Sequence, residues 1–123
     1  MKQLVLVALG GALGSVLRYM ASMWVNQLSS GSRFPWGTLS VNLAGCALAG
    51  LVALWAEKAE WFSADHRLLL MTGVLGGFTT FSAFGLETMQ LLRQGEVTVA
   101  LAYVVISVTA GVSALWAVYA LGR

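Results

Sequence analysis

Four long apolar runs dominate this sequence of 123 residues and constrain its fold more than any other feature. They lie at about residues 3–25, 36–56, 68–92 and 97–121, and none contains more than one charged side chain. A helix needs roughly 20 apolar residues to cross the hydrocarbon core of a bilayer. The pattern therefore predicts an all-α membrane protein, with four transmembrane helices forming a single domain over residues 1–123.

The low charge content excludes several classes of protein. Seven Lys/Arg and five Asp/Glu make up 10% of the chain, whereas 59% of its residues are hydrophobic. A soluble domain carries about 25% charged residues, so the sequence argues against a water-soluble enzyme. The net charge of +2 provides no basic patch for a nucleic acid. No cluster of His, Cys, Asp and Glu and no nucleophile–base set is present, and we expect no enzymatic activity.

The distribution of positive charge predicts an unusual topology. Four spans put both termini on one side of the membrane, and orientation follows the Lys and Arg counts of the two sides. The terminal side carries four of these residues: Lys2, Lys58, Arg67 and Arg123. The opposite side carries Arg33 and Arg93, and a third if Arg18 is included. So small a difference favours insertion in both orientations, which allows two opposed copies to pair as an antiparallel dimer.

The third run is the least regular of the four. Residues 73–85 read GVLGGFTTFSAFG, in which Gly76, Gly77, Thr79 and Thr80 are weak helix formers. A helix break in lipid is tolerated only where it lines a cavity or is buried in protein. Broken helices expose carbonyls that can hold cations. The alternative is a packing kink with its hydrogen bonds intact.

Three phenylalanines of this run, Phe78, Phe81 and Phe84, are spaced three residues apart and are expected on one helical face. The electropositive edge of a phenyl ring would coordinate an anion weakly, as conduction requires. The alternative is an aromatic stripe that faces lipid or the core. In the fourth run, Tyr103 and Ser107 lie one turn apart and predict a hydroxyl-bearing face, although serine often bonds back to its own helix.

Three isolated polar residues in the spans each allow two interpretations. The Asn42 amide can donate to an anion or to a neighbouring carbonyl. Arg18, the one cation within a span, either extends to the membrane interface or lies at the mouth of an anion path. Glu87, the one acid within a span, either pairs with a cation or hydrogen-bonds a helix.

Three segments of the chain resemble one known family. GGALGSVLRY at residues 10–19, WGTLSVNLAG at residues 36–45 and GGFTTFSAF at residues 76–84 are similar to segments of the CrcB/Fluc fluoride channels. The similarity covers the whole chain, with four helices in the same order. The motif of the third helix is specific to that family.

The resemblance implies a dual-topology antiparallel homodimer in a bacterial inner membrane, surrounded by lipid and containing two fluoride pores. It implies a structural sodium ion at the dimer centre, held by the backbone carbonyls of Gly76 and Thr79. The pore residues it implies are Asn42, Phe81, Phe84, Tyr103 and Ser107. We add Thr80 and Ser82 of the same motif to the pore and assign Arg18 to its vestibule. The row of hydroxyl side chains on the fourth helix, formed by Tyr103 and Ser107, does not continue to the next position. That position is Gly111, where some relatives have serine.

The sequence thus predicts a passive channel that lets fluoride leave the cell and relieves its toxicity. A small multidrug–proton antiporter is the alternative, since it also has four helices and dual topology. Its mechanism needs a membrane-embedded carboxylate, normally in the first helix, and that helix contains none. A non-transporting accessory membrane protein is a third possibility.

Overall fold

Four helical segments, each long and apolar enough to cross a membrane, form the chain. The structure, a computed structural model, describes every residue from Met1 to Arg123. The first two segments are α1 (Lys2–Leu28) and α2 (Trp36–Lys58), and the last is α6 (Val97–Gly122). The third segment, Ala64–Arg93, consists of four pieces: α3 (Ala64–Arg67), a π-helix (Leu68–Leu75), α4 (Gly76–Phe78) and α5 (Phe81–Arg93).

Polar contacts at the two ends of the bundle fix which connections lie together. At one end, the Lys2 ammonium pairs with Asp65 at 2.6 Å and Lys58 Nζ donates to the Gly122 carbonyl at 2.6 Å. Both termini and the turn between α2 and α3 therefore share this end. At the opposite end, an ion pair between Arg33 and Glu96 joins the α1–α2 loop to the α5–α6 turn.

Glycines permit the closest helix packing. α1 packs against the π-helix and α4, and α2 packs against α6. A Cβ on Gly10 would lie 2.9 Å from the Gly73 Cα, and one on Gly77 would lie 3.1 Å from the Gly11 Cα. Because no side chain fits in these positions, the backbones of α1 and the third segment lie in direct contact, as is common between helices in lipid.

The protein core is small and lies near the end of the bundle that holds the α1–α2 loop and the α5–α6 turn. Tyr103 is fully buried with Leu39, Leu91 and Ala100, and Phe84 packs against this cluster. Most large apolar side chains of α1 and many of α6 face outwards instead. An outer surface of this kind suits a lipid environment, in which apolar exposure costs nothing.

Candidate functional site

The third segment is interrupted at Thr79 and Thr80. α4 ends at Phe78, the two threonines adopt extended conformations (φ −82°, ψ 156° and φ −146°, ψ 120°), and α5 begins at Phe81. The break predicted from the sequence is confirmed, and the alternative of a kink with intact hydrogen bonding is wrong. An interruption frees backbone groups that a continuous helix would have paired.

The Asn42 side chain replaces part of the missing helical hydrogen bonding. Its Nδ2 donates to the Thr80 carbonyl at 3.0 Å, and its Oδ1 accepts from the Thr80 N–H at 2.8 Å. The Thr80 hydroxyl in turn accepts from the Ala83 N–H at 3.2 Å and caps α5. Asn42 therefore bonds a neighbouring carbonyl. An amide nitrogen carries two hydrogens, so one N–H of Asn42 remains for a further partner.

Arg18 binds the break from α1. Its Nε donates to the Gly77 carbonyl at 3.0 Å. In a continuous helix that carbonyl would accept from the N–H four residues on, which the start of α5 at Phe81 prevents. Arg18 thus satisfies a carbonyl that the break has freed, a role that neither interpretation of the sequence included. Its assignment to a vestibule remains a prediction.

Two further carbonyls at the break have no hydrogen bond. The N–H groups that would reach Gly76 and Thr79 in a continuous helix bond instead to Asn42 and to the Thr80 hydroxyl. No side chain and no N–H group outside the helices donates to these two carbonyls. A carbonyl left unpaired at membrane depth destabilises the protein by several kcal/mol. We therefore expect these two oxygens to accept a hydrogen bond or to coordinate a cation.

A groove of about 420 Å³ opens at the break, between α2, the third segment and α6. We call it the break groove. It brings together seven of the residues that the sequence assigned to the pore or to the cation: Asn42, Gly76, Thr79, Thr80, Phe81, Phe84 and Ser107. Phe81 is 84% exposed at its rim, and its ring centroid is 5.7 Å from that of Phe84.

Two predicted pore residues lie outside the break groove. Tyr103 is 0% exposed, and its ring packs edge-on against Phe84 and Phe34 at centroid distances of 5.0 and 5.5 Å. Its hydroxyl is buried without a partner. Ser82 is exposed and contacts the Thr80 hydroxyl at 3.4 Å. Only Ser107 of the predicted hydroxyl face on α6 reaches the groove.

The expected common face of three phenylalanines is wrong. Phe78 ends α4, whereas Phe81 and Phe84 belong to α5. Spacings of three residues place side chains on one face only if the helix is continuous, and the extended threonines change the register between them.

The structure decides between the two interpretations of Glu87. The Thr38 hydroxyl donates to Glu87 Oε1 at 2.5 Å, so Glu87 hydrogen-bonds a helix instead of pairing with a cation. Sequence reasoning missed Thr38 as the partner. The sequence signal for this hydrogen bond was the presence of Thr38 in the second span and of Glu87, the one acid within a span, in the third. Cys46, which the sequence did not assign to the site, lines the break groove one turn from Asn42.

Four membrane-spanning helices, with the third broken beside a groove that contains a few polar groups, define a small multi-pass membrane protein of the channel and transporter class. Residues 5–119 match the model of a family described as "CrcB-like protein, Camphor Resistance (CrcB)". The chain belongs to the CrcB family.

Relatives of this chain are similar over nearly its full length. A protein named "Fluoride-specific ion channel FluC" from Methylobacillus flagellatus is 51% identical over 94% of this chain and 91% of its own. Proteins of the same name from Rhizobium meliloti and Agrobacterium fabrum are 47% and 44% identical, over 100% of this chain and 98% of theirs.

Proposed function

We propose that this protein is a passive, fluoride-selective channel of a bacterial inner membrane, and that it lets fluoride leave the cell. The observation that carries the proposal is the break groove, where a free amide N–H, two phenyl rings and hydroxyls meet at membrane depth. The names of the relatives support fluoride as the ion. A channel needs no catalytic residues, and an antiporter would need a carboxylate in α1, which has none.

The chemistry of the break groove suits an anion that must bind and then leave. Asn42 offers a neutral N–H, Ser107 offers a hydroxyl, and Phe81 and Phe84 offer electropositive ring edges. No acidic side chain lines the groove to repel an anion. Each of these ligands is weak by itself, and weak ligation at several positions favours conduction over tight binding.

A second copy in the opposite orientation would complete the pathway. The break groove is open on one side, and Phe81 projects from its rim with 84% of its surface exposed. A two-fold related partner would cover this side and bring a second break against the first. The nearly balanced positive charge of the two membrane sides supports such dual insertion. Each pore would then include groups from both subunits.

The break suits a structural sodium ion. The unpaired Gly76 and Thr79 carbonyls are hard oxygen ligands, and two subunits would provide four of them. When bound, sodium would supply a positive charge that satisfies these carbonyls. The Thr79 side chain is engaged elsewhere, because its hydroxyl donates to the Leu75 carbonyl at 2.9 Å.

Anion flux from liposomes tests this proposal. Liposomes containing the purified protein should release fluoride, detected with a fluoride electrode, and should retain chloride. Phe84→Ile keeps an apolar side chain but removes the ring edge, so fluoride release should fall by about tenfold or more. Phe62→Ile, in the turn between α2 and α3, is the matched control. The proposal fails if the unmodified protein releases no fluoride, or releases chloride equally fast.

A further inference from the structure

A second groove leads from the membrane surface to the break groove. It has a volume of about 590 Å³ and lies between the ends of α2, the third segment and α6 that face the terminal side. We call it the surface groove. Met71 lines both grooves, so the two adjoin each other.

A row of small residues on one face of α2 lines both grooves. On α2, Ala56, Ala53, Ala49 and Cys46 follow one another at intervals of three or four residues and end at Asn42. These small side chains line first the surface groove and then the break groove. The row leads from the terminal end of α2 towards the Asn42 amide.

Arg67 is the single cation that lines the surface groove. It is exposed, and it belongs to neither of the two ion pairs of the chain, which join Lys2 to Asp65 and Arg33 to Glu96. Its neighbour across the groove, Glu57, accepts a hydrogen bond from the Tyr119 hydroxyl at 2.5 Å instead of pairing with the guanidinium. Apart from Arg67 and Glu57, the residues that line this groove are hydrophobic. An unpaired guanidinium at its entrance attracts anions.

We propose that Arg67 captures mobile anions at the surface groove and that this groove is their entrance to the break groove. The inference rests on the proposed channel function and adds an entry residue to it. Arg67 increases the local anion concentration, and the Glu57 carboxylate opposes it. An antiparallel partner over the break would close the open side of the groove and leave its Arg67 end facing water.

Fluoride release from liposomes of neutral phosphatidylcholine, at low ionic strength, provides the first test. Arg67→Gln should lower the initial rate by about three- to tenfold, and Glu57→Gln should raise it. Lys58→Gln, which removes a positive charge from the same end of the bundle without lining the groove, should change the rate by less than about 1.5-fold. At about 1 M impermeant salt the Debye length falls to about 3 Å, and the three variants should converge on the unmodified rate.

A quenching measurement tests anion capture independently of transport. Trp116 lines the surface groove and is 62% exposed. In a variant that keeps Trp116 as the one tryptophan, Arg67→Gln should reduce quenching by iodide at least about twofold and leave quenching by neutral acrylamide unchanged. This readout holds even if the protein transports no fluoride, so failure of the channel function and failure of the capture site give different results.

Two results would overturn the inference. The first is iodide quenching that Arg67→Gln leaves unchanged. The second is an effect of Arg67→Gln on fluoride release that appears only when the liposomes contain anionic phosphatidylglycerol, because Arg67 would then bind a lipid phosphate instead of a mobile anion.

Discussion

At the scale of single residues, Asn42 links the stability of the break to the chemistry of the groove. One amide satisfies both the N–H and the carbonyl of Thr80 and still has an N–H to offer. Arg18 performs a related task for the Gly77 carbonyl. A helix break in lipid survives because side chains from α1 and α2 replace the lost backbone partners. The same residue can then hold the backbone open and bind the ion.

Asn42→Asp tests this double role. The change removes both N–H groups and puts a negative charge at a low-dielectric site, where the repulsion of an anion at close range is large. Fluoride release should fall by more than about tenfold, while the protein elutes from a sizing column at the same volume as the unmodified protein. Asn26→Asp, which makes the same chemical change at the exposed end of α1, is the control. Normal release from Asn42→Asp would show that this amide does not face the ion.

At the scale of helices, the sequence predicted which elements form but not how they meet. Apolar runs and the Gly/Thr-rich motif were sufficient for four spans and a break in the third, because length and helix propensity are local properties. The position of Tyr103 was not predictable from spacing. Periodicity identifies a face of α6, but the partner of that face changes along the helix, from the core at Tyr103 to the groove at Ser107.

Packing between helices also explains why the hydroxyl face of α6 stops at Ser107. One turn further, Gly111 is buried, and a Cβ there would lie 3.3 Å from the Cys46 Sγ. A serine at this position would therefore crowd α2. The sequence alone identified the glycine as a departure from its relatives, and the close approach of α2 to α6 gives the physical reason.

Thr79→Val separates a backbone cation site from a side-chain one. The valine leaves the Thr79 carbonyl unchanged and loses only the hydroxyl's bond to the Leu75 carbonyl, four residues earlier. Because such a bond contributes little to a helix, fluoride release should stay within about twofold of the unmodified protein. Release should also keep the same dependence on sodium when sodium is replaced by N-methylglucamine. Gly77→Ala, whose Cβ would press against the Gly11 backbone, should abolish release. A Thr79→Val protein that no longer responds to sodium would assign the ion to the hydroxyl.

At the scale of the whole molecule, the balance of positive charge determines which assembly can form. Four Lys and Arg residues on the terminal side face two on the other, without counting Arg18. A chain with this distribution is expected in both orientations, and an antiparallel dimer requires both.

Biased pairs of variants test dual topology directly. Gln3→Lys with Glu60→Lys raises the terminal side to six positive residues against two and should fix one orientation. Lys2→Gln and Lys58→Gln, combined with Gln27→Lys, Ser30→Lys, Gln90→Lys and Gln94→Lys, leaves two against six and should fix the opposite one. Each variant expressed alone should release fluoride at less than about one-tenth of the normal rate, because it lacks an opposed partner.

Co-expression of the two should restore release, which distinguishes a topological defect from misfolding. The same positions changed to acidic residues provide the control, since Asp and Glu contribute little to orientation. Full activity of either biased variant alone would exclude the antiparallel dimer.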